Sequence, residues 1–533
     1  LVAATCGKEK FSSYSQQFIE VLLHLQNQVI ALGDENPEDL EIKNRLEQSW
    51  GRLCRLLKED FVPLLSVVIP PVLETAKAAQ NVSIIEEEEA DAYNQYGEWD
   101  VIKIHGKHIA IHSAVLDDKV SAMELLIVYC HELKQYFAPF VEEVMMEITI
   151  PSLDFYLHDG VRKTGAKLIP ILLQSLISAQ QTMDSILPFW SEAASKLIDG
   201  LSNEPVANVS LMYHDVISHC MEILGSDYLT VNQLNLYVKG TDRNLTDLYE
   251  RVETRHLEDD IYNEKEEDMI DEEDFNDEEL LDEINKSLAT IFKFQKEKFL
   301  PMYASLFETI LKFLNHEQSF MIIFSLVSIS DMILYSGNYS SDFKNLFVER
   351  VISYLLHPET CIRQGASYAI GCCAVSAPDV YSDTCLAALT NLIKIITDSD
   401  SKLEHNTMAT ENAAAAIAKI LSAYDIPQKD EILKIWLTSF PIIDDEEAAS
   451  FSYKYLAEMI NNKNSIVLQD VPKLVDDIVM ALLHGSIKDK MAEFVSNALK
   501  QVLATYPQDQ AMKLFSKYDP EVMAVISLSL IHI

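Results

Sequence analysis

A chain of 533 residues exceeds what one hydrophobic core sustains, so it is either several domains or a repeat array. With 14 glycines and 17 prolines it is too poor in turn residues for a β-rich fold, and eight scattered cysteines without a C-x-x-C pair do not make a disulfide framework. A formal charge of −41, from 42 Lys plus Arg against 83 Asp plus Glu, repels nucleic acid and anionic lipid and leaves basic proteins as the natural complement.

The apolar residues recur at gaps of three and four, which predicts helices throughout. The chain starts at Leu1, inside what reads as a helix and without an initiator Met, so further N-terminal sequence is expected. Residues 1–84 read as helix pairs. They contain an aromatic residue followed two positions later by proline, Phe61-Val62-Pro63, ahead of an apolar helical run.

Residues 85–112 break the pattern as an insertion. It carries the acidic run Glu86, Glu87, Glu88 and Glu89, then YGEWDVIKIHGKHIAIH, whose alternation predicts a short hairpin or an extended loop. In an extended segment, spacings of three and four do not put His105, His108 and His112 on one face, and no thiol or carboxylate completes a zinc set.

Helix pairs resume over 113–252, with Phe137-Ala138-Pro139 repeating the motif. Two segments read as the turn between the helices of a pair: VLDDKV with Asp117, Asp118 and Lys119, and YLHDGVRK with Asp159 and Arg162. Acids and bases at fixed turn positions can ladder from one pair to the next.

Residues 253–283 form a second insertion, with 17 acids against the two bases Arg255 and Lys265, and are expected to be solvated or partly disordered. Within it, Glu266, Glu267, Asp268, Asp271, Glu272, Glu273 and Asp274 are candidate contacts for a basic partner, as are Glu86 to Glu89. A solubilising loop is the plainer reading.

Residues 284–527 return to helix pairs, with Phe299-Leu300-Pro301 and the turn LLHPETCIRQG, where Pro358 stops one helix and Arg363 lies at the start of the next. The six residues 528–533, LSLIHI, read like a translated sequencing adapter and are set aside. The Phe-x-Pro motifs recur at about two and four times a period near 40, which is the HEAT period. The expected architecture is an all-α HEAT-repeat solenoid of about eleven pairs, beginning near residues 12, 61, 100, 137, 180, 206, 285, 343, 380, 427 and 470.

No P-loop, dinucleotide fingerprint, nucleophile elbow or zincin string occurs, and Cys361, Cys372 and Cys373 lie on or near a small-residue packing helix. The reading is a binding protein without catalytic residues, cofactor or metal. No uninterrupted apolar run reaches the length of a membrane span.

Several long stretches resemble one family: GKEKF at 7–11, SWGRLCRLLKEDFVPLL at 49–65, GKHIAIHSAVLDDKVSAMELL at 106–126 and IPSLDFYLHDGVRKTGAKLIPILL at 150–173. DEELLDEINKS at 277–287, IRQGASYAIGCCA at 362–374 and TENAAAAIAKIL at 410–421 extend the likeness. They are similar to the importin-beta superfamily, in its importin-beta-3 branch. The resemblance implies the C-terminal half of a monomeric receptor about twice this length, shuttling between cytoplasm and nucleus. It further implies protein cargo with basic signals, a description that ribosomal proteins or histones fit, together with Phe-Gly nucleoporins held in slots between first helices, and Ran-GTP. Much of the Ran site is then expected in an N-terminal arch, and the basic signal mainly in central repeats. A different HEAT scaffold, such as a phosphatase regulatory subunit or an assembly chaperone, would share the period and the turns but not these matches.

Overall fold

The computed structural model describes residues 2–32, 37–78, 82–85, 99–104, 107–257 and 264–518. The run Glu86 to Glu89, His105 and the LSLIHI tail lie outside them. The chain divides into two compact units, Leu1–Thr290 and Ile291–Ile533.

Unit 1 is built from antiparallel helix pairs. They are α1 (Val2–Leu32) with α2 (Pro37–Leu57), and α3 (Leu65–Lys77) with α4 (Ser113–Leu133). The next first helix is interrupted: α5 (Val141–Glu143) and α6 (Ile150–Leu153) flank a π-helical stretch Val144–Thr149, and together they pair with α7 (Asp159–Ser178). Then come α8 (Met183–Leu201) with α9 (Ala207–Leu224), and α10 (Val231–Leu257) followed by α11 (Glu264–Gln295). Unit 2 continues with α12 (Leu300–Leu314) and α13 (Ser319–Ser336), α14 (Lys344–Tyr354) and α15 (Thr360–Ser376), α16 (Pro378–Thr397) and α17 (Glu404–Ala423), α18 (Lys429–Trp436) and α19 (Glu446–Asn461), and α20 (Val471–His484) and α21 (Asp489–Leu503), before α22 (Gln508–Phe515).

Each second helix packs on the second helix of the next pair, α4 on α7 and α7 on α9 in unit 1, and α13, α15, α17, α19 and α21 in succession in unit 2. Small residues permit this closeness. Ala413, Ala414, Ala415 and Ala416 of α17 are all buried against their neighbours. This is a HEAT-repeat solenoid, with ten pairs among the described residues where eleven were expected.

The miscount has a local cause. The start expected near 100 falls on strands, the one near 206 precedes α9, which is a second helix, and the one near 285 lies inside α11. At 27 and 32 residues, α10 and α11 are much longer than the period allows, so a fixed repeat slips across them. The acidic tract lies where these two long helices meet. The expectation of a solvated or partly disordered segment over 253–283 is corrected in its described part, because 253–257 end α10 and 264–283 belong to α11.

A three-stranded antiparallel sheet, β1 (Val82–Ile85), β2 (Trp99–Ile104) and β3 (Lys107–His112), occupies the first insertion in the order β1-β3-β2. The expected hairpin is β2–β3, and β1 pairs with its free edge. Ile111 anchors the sheet in a cluster with Leu116, Phe155 and Val161.

The Phe-x-Pro motifs begin first helices by a shared device. In each, a 3-10 turn (Lys58–Leu64, Lys134–Phe140 and Lys296–Phe299) opens on a lysine with left-handed backbone, at φ 51, 47 and 52 for Lys58, Lys134 and Lys296. The left-handed residue stops the preceding second helix and turns the chain over. Phe61, Phe137 and Phe299, three positions on, are fully buried, and that burial repays the strained residue. Gly337, at φ 55, takes the same place after α13.

In unit 2 successive first helices and the turns that open them meet by aromatic edges: Phe307 meets Phe343 at 4.8 Å between ring centroids, and Phe347 meets Tyr381 at 6.2 Å. The most apolar helix is α13, whose Met321, Ile322, Phe324, Leu326, Ile329, Met332 and Ile333 are buried among its neighbours. Its hydropathy is that of a core helix.

Candidate protein-interaction surfaces

The basic turn residues Arg162, Arg363 and Lys119 reach between consecutive pairs, whereas Asp117 is exposed and Asp159 pairs within its own helix. Arg162 is fully enclosed: Nε and Nη2 each lie 2.8 Å from the carboxylate of Glu204, 42 positions on, and Nη1 donates to the Phe155 carbonyl at 2.9 Å. Arg363 donates from Nη2 to Asn406 Oδ1 at 2.6 Å, 43 positions on, and from Nη1 to the His357 and Pro358 carbonyls. Lys119 reaches back to the Ala76 carbonyl at 2.5 Å, and burial holds its amine below the usual lysine range. Asp117 lies 3.7 Å from His158 Nε2, Asp159 pairs with Lys163 at 2.9 Å, and Asp118 is also engaged. The partners Glu204 and Asn406 were not singled out from sequence. Their signal was the distance of one period from a turn arginine.

The acidic candidates separate into two kinds. Glu266, Glu267, Asp268, Asp271 and Glu272 lie on the helical backbone of α11, whereas Glu273 and Asp274 are bound back to α10. Arg255 donates to Glu273 at 3.3 Å, to Asp274 at 2.6 Å and to Asp277 at 2.6 Å, while Arg251 adds a second contact to Asp277 at 2.5 Å. Two arginines therefore neutralise the inner edge of the tract and hold α11 against α10. Asp274 is half-buried in that contact and is not a free charge.

A slot of ≈ 520 Å³ opens between the first helices α3 and α5. Ile69, Pro70 and Leu73 line one side and Phe140 the other, with Glu74, Lys77 and Glu143 at the polar edge. Lys77 is tied to Glu143 and, at 2.6 Å, to Glu147, and these carboxylates raise its pKa. The arrangement offers an apolar recess of aromatic size with a charged margin.

Nothing in the described residues groups three or more His, Cys, Asp or Glu side chains around a metal position. Burial pushes the thiols of Cys130 and Cys372 up to about 12, the opposite of what a nucleophile needs.

Two family models match, one described as importin repeat 6 over residues 209–316 and one as importin repeat over residues 445–496. Importin subunit beta-3 of Saccharomyces cerevisiae is 45% identical over 528 residues, covering 98% of this chain and 48% of its own length. A probable importin-5 homolog of Dictyostelium discoideum is 23% identical over 544 residues, covering 94% of this chain and 46% of its own. The chain thus spans about half the length of the curated relatives it matches. Among solved structures, Kap121p bound to RanGTP superposes with a TM-score of 0.85 at 42% identity, covering 99% of this chain and 47% of that one. Kap121p bound to Nup53p gives a TM-score of 0.85 at 43% identity, covering 98% of this chain and 46% of that one.

Proposed function

Because this chain belongs to the importin-beta family, we propose that it serves as part of a nuclear transport receptor that carries protein cargo with basic localisation signals, binds Phe-Gly nucleoporins and is regulated by Ran-GTP. The observation that carries this reading is the 45% identity to importin subunit beta-3 along nearly the whole chain. Identity at that level preserves packing and surface together, and a solenoid acts through its surface. The reading assigns the chain to binding without catalysis, and to passage between cytoplasm and nucleus. Its charge of −41 supports basic partners, and the slot between α3 and α5 supports an aromatic side chain of a Phe-Gly repeat.

Within this reading, Glu266, Glu267, Asp268, Asp271 and Glu272 speed encounter with basic partners through long-range attraction rather than forming the primary site. The test is retention of the chain on immobilised Phe-Gly repeats against a Phe-to-Ser control. A Ran-GTP binding measurement runs in parallel. Equal retention on both matrices overturns the nucleoporin part of the reading.

A further inference from the structure

On the face formed by the second helices of unit 2, a lysine sits in an aromatic cage. Lys419 of α17 places its ammonium 5.3 Å from the ring centre of Tyr368 on α15 and 5.6 Å from that of Phe451 on α19. Glu447, also on α19, lies 3.9 Å from the same nitrogen. Two ring faces and a carboxylate around one cation form the arrangement by which proteins hold Lys and Arg side chains of partners. Here a residue of the chain itself fills it.

Two acids, Asp331 and Glu447, act on this region, and a second lysine, Lys454, lines the recess beside Lys419 and Phe451. Asp331 of α13, without an ion pair among the described residues, is coupled electrostatically to Glu447, Tyr335 and Tyr368. Burial and the like charge of Glu447 push its carboxyl up to about 7, the response of an acid that lacks a cation. Glu447 is itself exposed, with 64% of its side chain accessible, so a partner can reach it. Lys419 is instead buried, and its stem passes over Gly371 of α15. A Cβ at that glycine would lie 3.0 Å from Lys419 Cδ and 3.4 Å from Nζ.

We propose that Tyr368, Phe451, Glu447 and Asp331 form a binding site for a Lys or Arg side chain of an extended basic segment, and that Lys419 occupies it as an internal competitor. The inference rests on the reading of this chain as a carrier of basic cargo, to which it adds a contact point and a built-in brake. A partner cation pairing with Asp331 and Glu447 displaces the lysine toward solvent, and the aliphatic stem is flexible enough to move.

The test measures fluorescence anisotropy of a labelled extended peptide rich in Arg and Lys, and of its all-Gln version, on the full chain at low salt. Lys419→Met keeps the stem and removes the ammonium, and Gly371→Ala crowds the stem without changing any charge. Both are expected to tighten binding by about threefold or more, the size of one competing cation–π contact. Asp331→Asn and Glu447→Gln are expected to weaken it by a similar factor, and Glu493→Gln, an exposed acid on α21, to leave it unchanged. Circular dichroism and melting curves establish that each variant folds, and Gly371→Ala and Glu447→Gln remain informative if Lys419→Met does not. If the parent chain binds the basic peptide and all four site variants match it, the site is overturned while the cargo reading stands. If neither the parent nor the Lys419 and Gly371 variants bind the basic peptide above its Gln version, both are overturned for this chain.

Discussion

Arg162 and Glu204 form a two-pronged ion pair that spans consecutive helix pairs, with side chains 1% and 0% exposed. Glu204 Oε1 also accepts the Val206 amide at 3.0 Å, so both carboxylate oxygens are hydrogen-bonded. Glu204→Ala leaves a guanidinium without its counter-charge in a dry site, and the expected loss is about 3–5 kcal/mol. The double variant Arg162→Met, Glu204→Leu removes both charges and should be milder. Hydrogen exchange over α7 to α9 reads the difference. Equal exchange in the single and double variants would show that the charge is not what fails.

The left-handed lysines predict a stabilising substitution. Lys134, at φ 47, adopts a backbone that favours glycine, and its carbonyl accepts from Ser175 Oγ at 2.7 Å, an interaction that does not need the side chain. Lys134→Gly should raise stability by about 0.5–1 kcal/mol, while Lys134→Val should lower it, in thermal melts. A loss for both would place the value of Lys134 in its side chain.

Asp331 predicts a pH dependence. Its carboxyl is raised from 3.8 to about 7, so between those values the folded chain keeps a proton that the unfolded chain has released. Its contribution therefore favours the folded state at the acid end and is lost as pH rises through about 7. Glu447, Tyr335, Tyr368 and Cys372 are coupled to it electrostatically and contribute to the profile. Asp331→Asn should raise the melting temperature at pH 8, by up to about 4 kcal/mol of stability, with the advantage shrinking below about pH 7 and vanishing below about pH 4. A difference that is constant with pH would remove titration from the account.

The slot between α3 and α5 predicts a selective loss. Phe140 is half-buried and its ring centre lies 5.6 Å from that of Phe137. Phe140→Ala should weaken Phe-Gly peptide binding by about threefold to tenfold, the scale of one aromatic contact. Unchanged affinity in surface plasmon resonance would move nucleoporin contact elsewhere on the chain.

The acidic stretch of α11 predicts a salt-dependent rate. Replacing Glu266, Glu267, Asp268, Asp271 and Glu272 by Gln or Asn should slow association with a basic cargo at low salt and matter little near ~0.5 M, where the Debye length falls to a few ångström. Asp274, bound to Arg255, should contribute less than these five. Stopped-flow association that is equally fast at low salt would leave the tract a solubilising element.

The helical class, the period near 40 and the turn motifs were legible in the sequence because each follows from spacing along the chain: apolar residues every three to four positions, Phe-x-Pro at three of the restarts, and proline or paired charges at the turns near 117, 159 and 358. The helical state of the acidic tract was not legible. Its composition argues for disorder, whereas Arg251 and Arg255, brought into reach by the antiparallel course of α10 and α11, pair with Glu273, Asp274 and Asp277 and offset repulsion at that end. The lysines that open the 3-10 turns were equally hidden, since a left-handed lysine has no propensity signal and is held by the buried phenylalanine three positions on.

Long-range partners belong wholly to the tertiary structure. His214, Tyr237 and Ser287 meet with Tyr237 Oη 2.5 Å from Ser287 Oγ and His214 Nδ1 3.1 Å from the same oxygen, and burial lowers the His214 pKa to about 3. Lys419 likewise reads in sequence as one cation in an alanine-rich helix, and becomes the occupant of a cage only where α15, α17 and α19 stack. Periodicity is a property of neighbours along the chain, so sequence determined the elements. Which charge meets which ring depends on how those elements pack, and packing is settled by burial summed over many residues rather than by any local pattern.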